Sequence, residues 1–317
     1  YTSTMHGDET TGFVLMIRLI DYLLSNYGTD AQVTNLIDQA ALFVNPNANP
    51  DGTYTNDNST VSGATRSNAN YVDLNRNFPD PDDGPHPDGN DWQPETEAMM
   101  AFAQNHNITM AANFHGGAEV ANYPWDTWQR MHTDHAWLEK VSYLYANNAM
   151  EDGPSGYFTS VSSDGVTNGY AWYPITGGRQ DFMTYMMNAR EITMEVSDVK
   201  LLASEELPDH WNYNKDAMLL YMEEVLNGFH GTVKNTAGDP LSAEIYALNH
   251  DATQDSSMVF TDPDAGDFHR LLADGTYTFV AESEGYIPDT VENITIADNQ
   301  VMHHFVLEQA SPVTLTG

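Results

Sequence analysis

The sequence predicts an α/β domain, with a mixed and mostly parallel sheet flanked by helices, followed by a small all-β sandwich. Over residues 1–228, short apolar runs alternate with stretches of helical periodicity, which is typical of strands that alternate with helices. Beyond Gly228, only short runs separated by turn residues remain. The 317 residues are 41% hydrophobic, enough for one large and one small core. We therefore predict a first domain at 1–228, a sandwich of about seven strands at 229–310 and a loose tail at 311–317.

The elements of the first domain follow from periodicity and from the residues that start or stop helices. Apolar residues recur at helical spacing from residue 11 to 27, directly after the turn MHGDE. Pro94 predicts a helix start, with acids in the first turn, where the helix dipole favours them. The other predicted elements are helices over about 94–105, 134–150 and 214–226, and buried strands at 41–44 (ALFV), 108–114 (ITMAANF) and 191–196 (EITMEV).

Composition and charge exclude several classes of function. The chain carries 46 acidic and 11 basic residues, so nucleic acid, whose phosphates it would repel, is not an expected partner. The acidic surface either maintains solubility or attracts cationic substrates. The sequence has no cysteine, which excludes disulfides and thiolate ligands and leaves His, Asp and Glu as ligands for any metal. No apolar run is long enough to predict a transmembrane segment.

A candidate metal site begins at His6 and Glu9, three residues apart in the turn before the first helix. A catalytic zinc needs three nitrogen or oxygen ligands and an open position, so this pair requires a third ligand. His115 is the natural candidate, because it ends a buried strand at the carboxyl edge of the sheet, where ligands bind in open α/β folds. The alternative for each residue is a hydrogen-bonded structural side chain without a metal.

The chain contains a series of motifs in a characteristic order: MHGDE, NPDG, ATRSNANYVDLNRNFPD, QPET, NFHGGAEVANYPWD, WYPITGGRQD and EITMEVS. In this order they resemble the M14 (funnelin) zinc metallocarboxypeptidases, and most of all the branch that includes carboxypeptidases D, E, M and N. The resemblance implies a zinc carboxypeptidase-like fold followed by a transthyretin-like sandwich. It also implies an enzyme with one zinc ion per chain that hydrolyses the C-terminal peptide bond of peptides.

The resemblance assigns the metal and the catalytic groups. His6, Glu9 and His115 match the zinc ligands of the family. Glu195 matches the general base that activates the zinc-bound water, and it is an acid in a strand that should be buried, which calls for a reason. Arg66 matches the arginine that polarises the scissile carbonyl, where positive charge stabilises the developing oxyanion.

The resemblance also assigns the groups that bind substrate. Asn75 and Arg76 match the pair that holds the terminal carboxylate, and a planar guanidinium suits a carboxylate because it binds bidentately. Tyr173 matches the tyrosine that closes over the substrate. Asp126 and Gln180 match the positions that bind a basic side chain, which implies release of C-terminal Arg or Lys and peptide partners with basic C-termini.

Arg179 leaves an alternative preference open, because a cation beside Gln180 would repel basic side chains if it turned into the pocket and would favour broad or acidic specificity. An alternative of another class is a catalytically inactive peptide-binding module on the same fold. A pseudoenzyme usually loses a ligand or the base, whereas this set is intact. Hydrolysis of cell-wall peptides by a related fold is a further alternative, but it would predict neither Asp126 nor the sandwich.

Three expectations concern the surroundings of the site. The loop at residues 80–91 (DPDDGPHPDGND) is rich in oxygen ligands and is a candidate calcium site, although its spacing matches no known calcium loop. The family's opening strands and helix precede the HxxE motif, so we expect the natural domain to begin before Tyr1. From the resemblance we expect a secreted or periplasmic protein.

Overall fold

A computed structural model describes residues 1–311 of the protein. The chain divides into two compact units, Tyr1–Val225 and a second unit that begins at Leu226. The tail predicted at 311–317 lies, from residue 312 onward, outside the described residues. In the part of the chain that is described, no helix is long and apolar enough to cross a membrane.

The first unit is built on a mixed sheet, which the structure describes as five strands in the order β1-β2-β5-β3-β4. β1 is parallel to β2, β2 to β5 and β3 to β4, whereas β3 and β5 are antiparallel. The predicted mixed and mostly parallel α/β sheet is therefore confirmed. The strands are β1 (Thr2–Ser3), β2 (Met110–His115), β3 (Ala118–Tyr123), β4 (Val166–Asn168) and β5 (Arg190–Ser197).

Helices accompany this sheet, and α8 packs against both α1 and α5. A 3-10 turn, Leu74–Arg76, lies between the third and fourth helices. The α-helices are α1 (Thr11–Asn26), α2 (Ala31–Gln39), α3 (Pro50–Thr53), α4 (Pro94–Gln104), α5 (His135–Asp152), α6 (Gly169–Trp172), α7 (Arg179–Tyr185) and α8 (Leu207–Glu223).

The strand predicted at 41–44 is wrong. These residues have no strand conformation, and only Asn45 forms an isolated bridge, to Thr2. Phe43 is 41% exposed and packs on Phe102 and on the ring of His106 instead of entering the core. The apolar run therefore covers the edge of α4 rather than adding a strand to the sheet.

Most other predicted elements are confirmed with shifted ends, and some elements were not predicted. The last helix begins at Leu207, because Pro208 suits the first turn of a helix, and not at residue 214. β3 was not predicted because Glu119 and Asn122 interrupt its apolar residues, although all six residues of the strand are buried. α2 and α7 are too short and too polar for a clear helical period.

The register of the sheet brings chemically active residues side by side. β2 and β5 are paired so that His115 lies opposite Glu195, at the carboxyl ends of two parallel strands. On its other side β5 pairs with β3, where Val120 lies opposite Glu195. The core below is formed by residues such as Phe114, Met194 and Ile192, which are completely buried. The strand ends are thus held rigidly, as a catalytic site requires.

The second unit consists of β-strands apart from one short 3-10 turn, within the residues described. Its strands form a four-stranded sheet, β11-β10-β7-β8, and a three-stranded sheet, β12-β6-β9. Phe229 and Phe305 of one sheet and Phe279 of the other share one buried core. The strands are β6 (Gly228–Asn235), β7 (Glu244–Ala247), β8 (Val259–Phe260), β9 (Asp267–Arg270), β10 (Gly275–Glu282), β11 (Asp289–Ile296) and β12 (Gln300–Leu307).

Candidate active site

The turn between β1 and α1 places His6 and Glu9 inside the protein. The backbone N–H of Glu9 donates to the carbonyl of His6 (3.0 Å), and both residues are 3% exposed. Gly7 is needed at this turn because a Cβ there would collide with the backbone of Gly52. The close approach of this turn to α3 therefore fixes the direction of the two side chains.

His115 at the end of β2 meets this pair. Nδ1 of His115 lies 2.8 Å from Oε2 of Glu9 and 3.1 Å from Nδ1 of His6, and Nδ1 of His6 lies 2.9 Å from the same oxygen. The three residues offer ligand atoms within 4.8 Å of one another, and all three are buried. Two ring nitrogens and one carboxylate oxygen converge on one point, which is a donor set that suits zinc.

The hydrogen bonds on the far sides of the two rings fit a metal at this point. Nε2 of His6 donates to Oδ1 of Asp73 (3.0 Å), so Nδ1 of a neutral ring carries a lone pair, from which Nη1 of Arg66 lies 3.1 Å away. Nε2 of His115 lies 2.8 Å from the amide nitrogen of Asn113, whose Oδ1 has no hydrogen-bond partner within the described chain. Exchanging the two ends of this amide would let Oδ1 accept from Nε2 and satisfy both groups.

Electrostatics favour a positive charge between these residues. Burial by itself lowers the pKa of His6, but Glu9 and Asp73 together raise it above its ordinary value. Burial likewise opposes ionisation of Glu9, yet His6 and His115 hold its pKa well below the usual range. Burial lowers the pKa of His115, so its ring is neutral and able to act as a ligand. The residues present therefore fit a zinc ion.

Glu195 lines a cavity beside this cluster, together with His6, His115 and Arg66. Its side chain is buried, and within residues 1–311 its Oε2 accepts no hydrogen bond. Burial and the charge of Glu9 raise the pKa of Glu195 well above its usual range, while Arg66 opposes the shift. An unpartnered buried carboxyl group at a cavity wall is a candidate acid or base.

Two arginines predicted for the site occupy different positions. Arg66 donates from Nε to Oδ2 of Asp73 (2.9 Å), and its Nη1 lies 3.5 Å from Oε1 of Glu9, at the cavity wall. Arg76 donates from Nη1 to the carbonyl of Asn75 (2.7 Å) and is not among the residues that line the cavity, whereas Asn75 is. The charge of Arg76 nevertheless acts on two residues that line the cavity, because it lowers the pKa of both Asp126 and Tyr173.

Tyr173 and Asp126 also line this cavity. Tyr173 is 46% exposed, at the end of α6. Asp126 is 4% exposed and accepts from Nε2 of Gln180 (3.1 Å) and Nδ2 of Asn122 (3.3 Å). Gly169 is required beside it, because a Cβ there would collide with Oδ1 of Asp126.

Asp126 is a carboxyl group without a cationic partner. It forms no salt bridge to any residue of the described chain, and its two side-chain donors are neutral amides. Burial raises the pKa of Asp126 to about 7, with Asn122 and Arg76 opposing the shift and Glu191 adding to it. A buried carboxylate with no counter-charge favours the arrival of a cation.

Arg179, which left the specificity open, points elsewhere. Its Nη1 lies 2.8 Å from Oε2 of Glu191 on β5, and both side chains are almost completely buried. Arg179 is not among the residues that line the cavity. The backbone N–H of Arg179 donates to Oδ1 of Asn75 (2.9 Å), so this residue supports the loop rather than entering the pocket.

The structure does not support the calcium site predicted at residues 80–91. Within the described residues, no three acidic side chains of this loop bring ligand atoms within 4.8 Å of one another. Asp80 instead accepts from the backbone N–H groups of Asp82 and Asp83 and from Gly177. The carboxylate therefore shapes the loop and joins it to the turn before α7.

Sequence reasoning missed three residues of the site. Asp73 orients both His6 and Arg66, Asn113 touches His115, and Asn122 donates to Asp126. Asn113 lies two residues before His115 on the same face of β2, so strand alternation could have found it. Asp73 and Asn122 had no such signal, because their partners are set by the tertiary fold.

The class of protein follows from this fold and donor set together with the comparisons to known proteins. The sequence model of the zinc carboxypeptidase family (peptidase M14) matches residues 1–217, and the chain belongs to this family. Rat carboxypeptidase D is 34% identical over 331 residues, which cover 98% of this chain. Mouse carboxypeptidase M is 34% identical over 300 residues, covering 90% of this chain and 66% of that protein. The human carboxypeptidase N catalytic chain is 32% identical, covering 98% of this chain and 74% of that protein.

The coverage of these relatives differs. The chain spans only 23% of the length of rat carboxypeptidase D.

Among solved structures, the crystal structure of thrombin activatable fibrinolysis inhibitor aligns with a TM-score of 0.58 and 18% identity, covering 70% of this chain and 60% of that one. Carboxypeptidase A from Helicoverpa armigera aligns with a TM-score of 0.54 and 18% identity, covering 70% of this chain and 60% of that one. At these identities the likeness shows the fold alone.

Proposed function

We propose that this protein is a zinc-dependent metallocarboxypeptidase that releases C-terminal Arg and Lys from peptides. The observation that carries the proposal is a single cavity lined by two of the candidate metal ligands, by buried Glu195 with its unpartnered Oε2, and by Asp126, which forms no salt bridge within the described residues. Family membership gives the reaction class. The residues of the cavity supply the metal site, the base and the preference.

His6, Glu9 and His115 would hold the zinc ion. When bound, zinc supplies a Lewis acid that polarises a carbonyl and lowers the pKa of water to about 7. Glu195 takes the proton of the attacking water and delivers it to the leaving amine, with its otherwise unpartnered Oε2 as the acceptor. Arg66, fixed by its hydrogen bond to Asp73, presents positive charge to the oxyanion that develops on the scissile carbonyl.

The C-terminal residue of the substrate would be held at two points. Asn75 at the cavity wall and Arg76, whose charge reaches Tyr173 and Asp126 in the same cavity, bind the terminal carboxylate, and Tyr173 covers it. The basic side chain enters toward Asp126, where its cation replaces the missing counter-charge. Gln180 and Asn122 hold the carboxylate of Asp126 in place by their amide hydrogen bonds.

A panel of peptides tests the proposal. Peptides that differ only in a C-terminal Arg, Lys, Leu or Glu, together with an amidated Arg peptide, are incubated with the zinc-loaded protein and with the chelated protein. We expect release of Arg and Lys by the zinc-loaded protein alone and no cleavage of the amide. Release of Glu in preference to Arg would contradict the role of Asp126, and zinc binding without any turnover would favour an inactive peptide-binding module.

The second unit and the location of the protein complete the proposal. Two sheets with a shared aromatic core, within the described residues, support a transthyretin-like accessory domain. We assign this domain a folding or interaction role. We therefore expect the catalytic unit to be less soluble when it is expressed without this domain. Secretion or export to a periplasm follows from the family resemblance, and detection of the protein in the medium or periplasmic fraction tests it.

A further inference from the structure

Lys200 contacts the candidate zinc ligand Glu9 at the carboxylate oxygen that faces away from His6 and His115. Oε2 of Glu9 faces the two histidines, whereas Oε1 lies 3.0 Å from Nζ of Lys200. The other cation near Oε1, Nη1 of Arg66, is more distant at 3.5 Å. The two oxygens of one carboxylate therefore have separate partners, and Lys200 makes the closer ionic contact with the oxygen that does not face the histidines.

Asp8, the acid between the two ligands of the HxxE motif, holds Lys200 in this position. Both of its carboxylate oxygens lie 3.3 Å from Nζ of Lys200. The side chain of Lys200 is 38% exposed and that of Asp8 is 21% exposed, while Glu9 is 3% exposed. A flexible lysine at the surface is thus tethered between an accessible anion and a buried one.

The backbone also brings Lys200 to this place. The N–H of Thr10 donates to the carbonyl of Lys200 (3.1 Å), which joins the chain after β5 to the HxxE turn. Gly117 borders the stem of the lysine, and a Cβ on it would lie 3.1 Å from Cε of Lys200. The lysine therefore occupies a defined channel between two segments that each carry a metal ligand.

We propose that Asp8 and Lys200 form a positioning pair that holds Oε1 of Glu9 and so keeps Oε2 as the single oxygen turned toward the metal. The inference rests on the proposed zinc site. Lys200 binds Oε1, which would otherwise be free to rotate toward the metal or to leave the site. Asp8 acts through Lys200: it balances the charge of the lysine, so that the ammonium orients Glu9 without leaving an uncompensated positive charge beside the metal point.

Zinc affinity is the measurement that tests the pair. Activity alone is ambiguous, because the charge of Lys200 also opposes the rise in the pKa of Glu195. Loss of Lys200 could therefore change turnover through Glu195. The dissociation constant for zinc is measured by competition with a chelator of known affinity, for the wild type and for K200M, K200R, D8N and D8N/K200M. K215M is the matched control, because Lys215 is a partly exposed lysine that pairs with Asp216 outside the site. Thermal unfolding of each metal-free variant is measured in parallel.

The expected results follow from a positioning role. K200M weakens zinc binding by about 10- to 100-fold, as is usual for groups that orient ligands, whereas K200R and K215M bind like the wild type. D8N weakens binding less than K200M does, and it has no further effect in the K200M background, because Asp8 acts through the lysine. Equal effects of D8N in both backgrounds would show that Asp8 acts on the metal directly and would overturn the proposal.

Two other outcomes separate this inference from the proposed function. If the wild type binds zinc and releases Arg while K200M binds zinc equally tightly, the positioning pair is refuted and the proposed function stands. The same refutation follows if K200M lowers only the unfolding temperature of the metal-free protein, because the pair would then be merely structural. A wild type that binds no zinc would overturn both.

Discussion

Replacing Asp126 by Asn is the sharpest test of the proposed specificity. Asn has nearly the same shape and can still accept from Nε2 of Gln180, so the substitution removes the charge and preserves the hydrogen bond. We expect kcat/KM for peptides ending in Arg to fall, while kcat/KM for matched peptides ending in Leu changes little. The ratio of the two values isolates the contribution of the charge.

The magnitude follows from the burial of Asp126. Truncating one partner of a buried, hydrogen-bonded charge pair costs about 2–5 kcal/mol. Asn keeps the neighbouring amides satisfied, which places the loss at about 2–3 kcal/mol, or about 30- to 150-fold in kcat/KM for Arg peptides. A change of less than about threefold would refute the assignment of Asp126 as the group that binds the basic side chain.

The same carboxyl group predicts a pH dependence. Burial raises the pKa of Asp126 to about 7, so a cationic side chain competes with a proton for this group near neutral pH. The preference for Arg over Leu should therefore fall as the pH drops from 8 to 6 in the wild type, and should be flat in D126N. A flat ratio in the wild type would contradict this account.

Stability gives an independent check on the charge. Because the pKa of Asp126 is higher in the folded than in the unfolded state, the folded protein holds more protons between about pH 4 and 7, and stability falls as the pH rises through that window. The rise from 3.8 to about 7 bounds the cost of the ionised form at about 4 kcal/mol. D126N should therefore raise the free energy of unfolding most at pH 8 and least near pH 4. An unchanged or lower stability at pH 8 would contradict the burial of this charge.

Three further variants test the remaining roles. Glu195→Gln should lower kcat by about 10²- to 10⁴-fold with unchanged zinc content, and a smaller loss would remove it as the base. Asp73→Asn should weaken zinc binding by about 10- to 100-fold, measured by chelator competition, because Nε2 of His6 loses its carboxylate; unchanged affinity would contradict that role. The double variant R179M/E191Q removes a buried ion pair without leaving one charge alone. It should retain the preference for peptides ending in Arg over peptides ending in Glu. A change in that preference would show that Arg179 contributes to the specificity pocket.

The fold was predictable where periodicity was strong. The helix after HxxE and the strand before His115 were found because their apolar residues follow one face or one buried run. The run at 41–44 misled because an apolar stretch of four residues does not reveal whether it enters a core or covers a helix. β3 escaped because Glu119 and Asn122 make a buried strand look polar, and their partners lie in other segments.

The sequence predicted the candidate ligands of the site, but it did not predict the residues that orient those ligands. The order of the motifs identified the candidate ligands and the base, since each belongs to a short local pattern. Asp73 is 67 residues from His6, and Lys200 is 192 residues from Asp8, so no local pattern connects them. The direction of Arg179 was open for the same reason, because its partner Glu191 is specified only by the packing of α7 on β5.

The placement of cations connects the composition of the chain to its chemistry. With 11 basic residues against 46 acids, a positive side chain is scarce, yet Arg66 and Lys200 both lie against Glu9. Buried Arg190 likewise pairs with buried Asp134, where an unpaired carboxylate would be costly. Asp126 is buried and forms no salt bridge within the described residues, although the charge of Arg76 lowers its pKa from a distance. In the proposed function, this buried carboxyl group at the cavity, which forms no salt bridge within the described residues, is the one that meets the cation of the substrate.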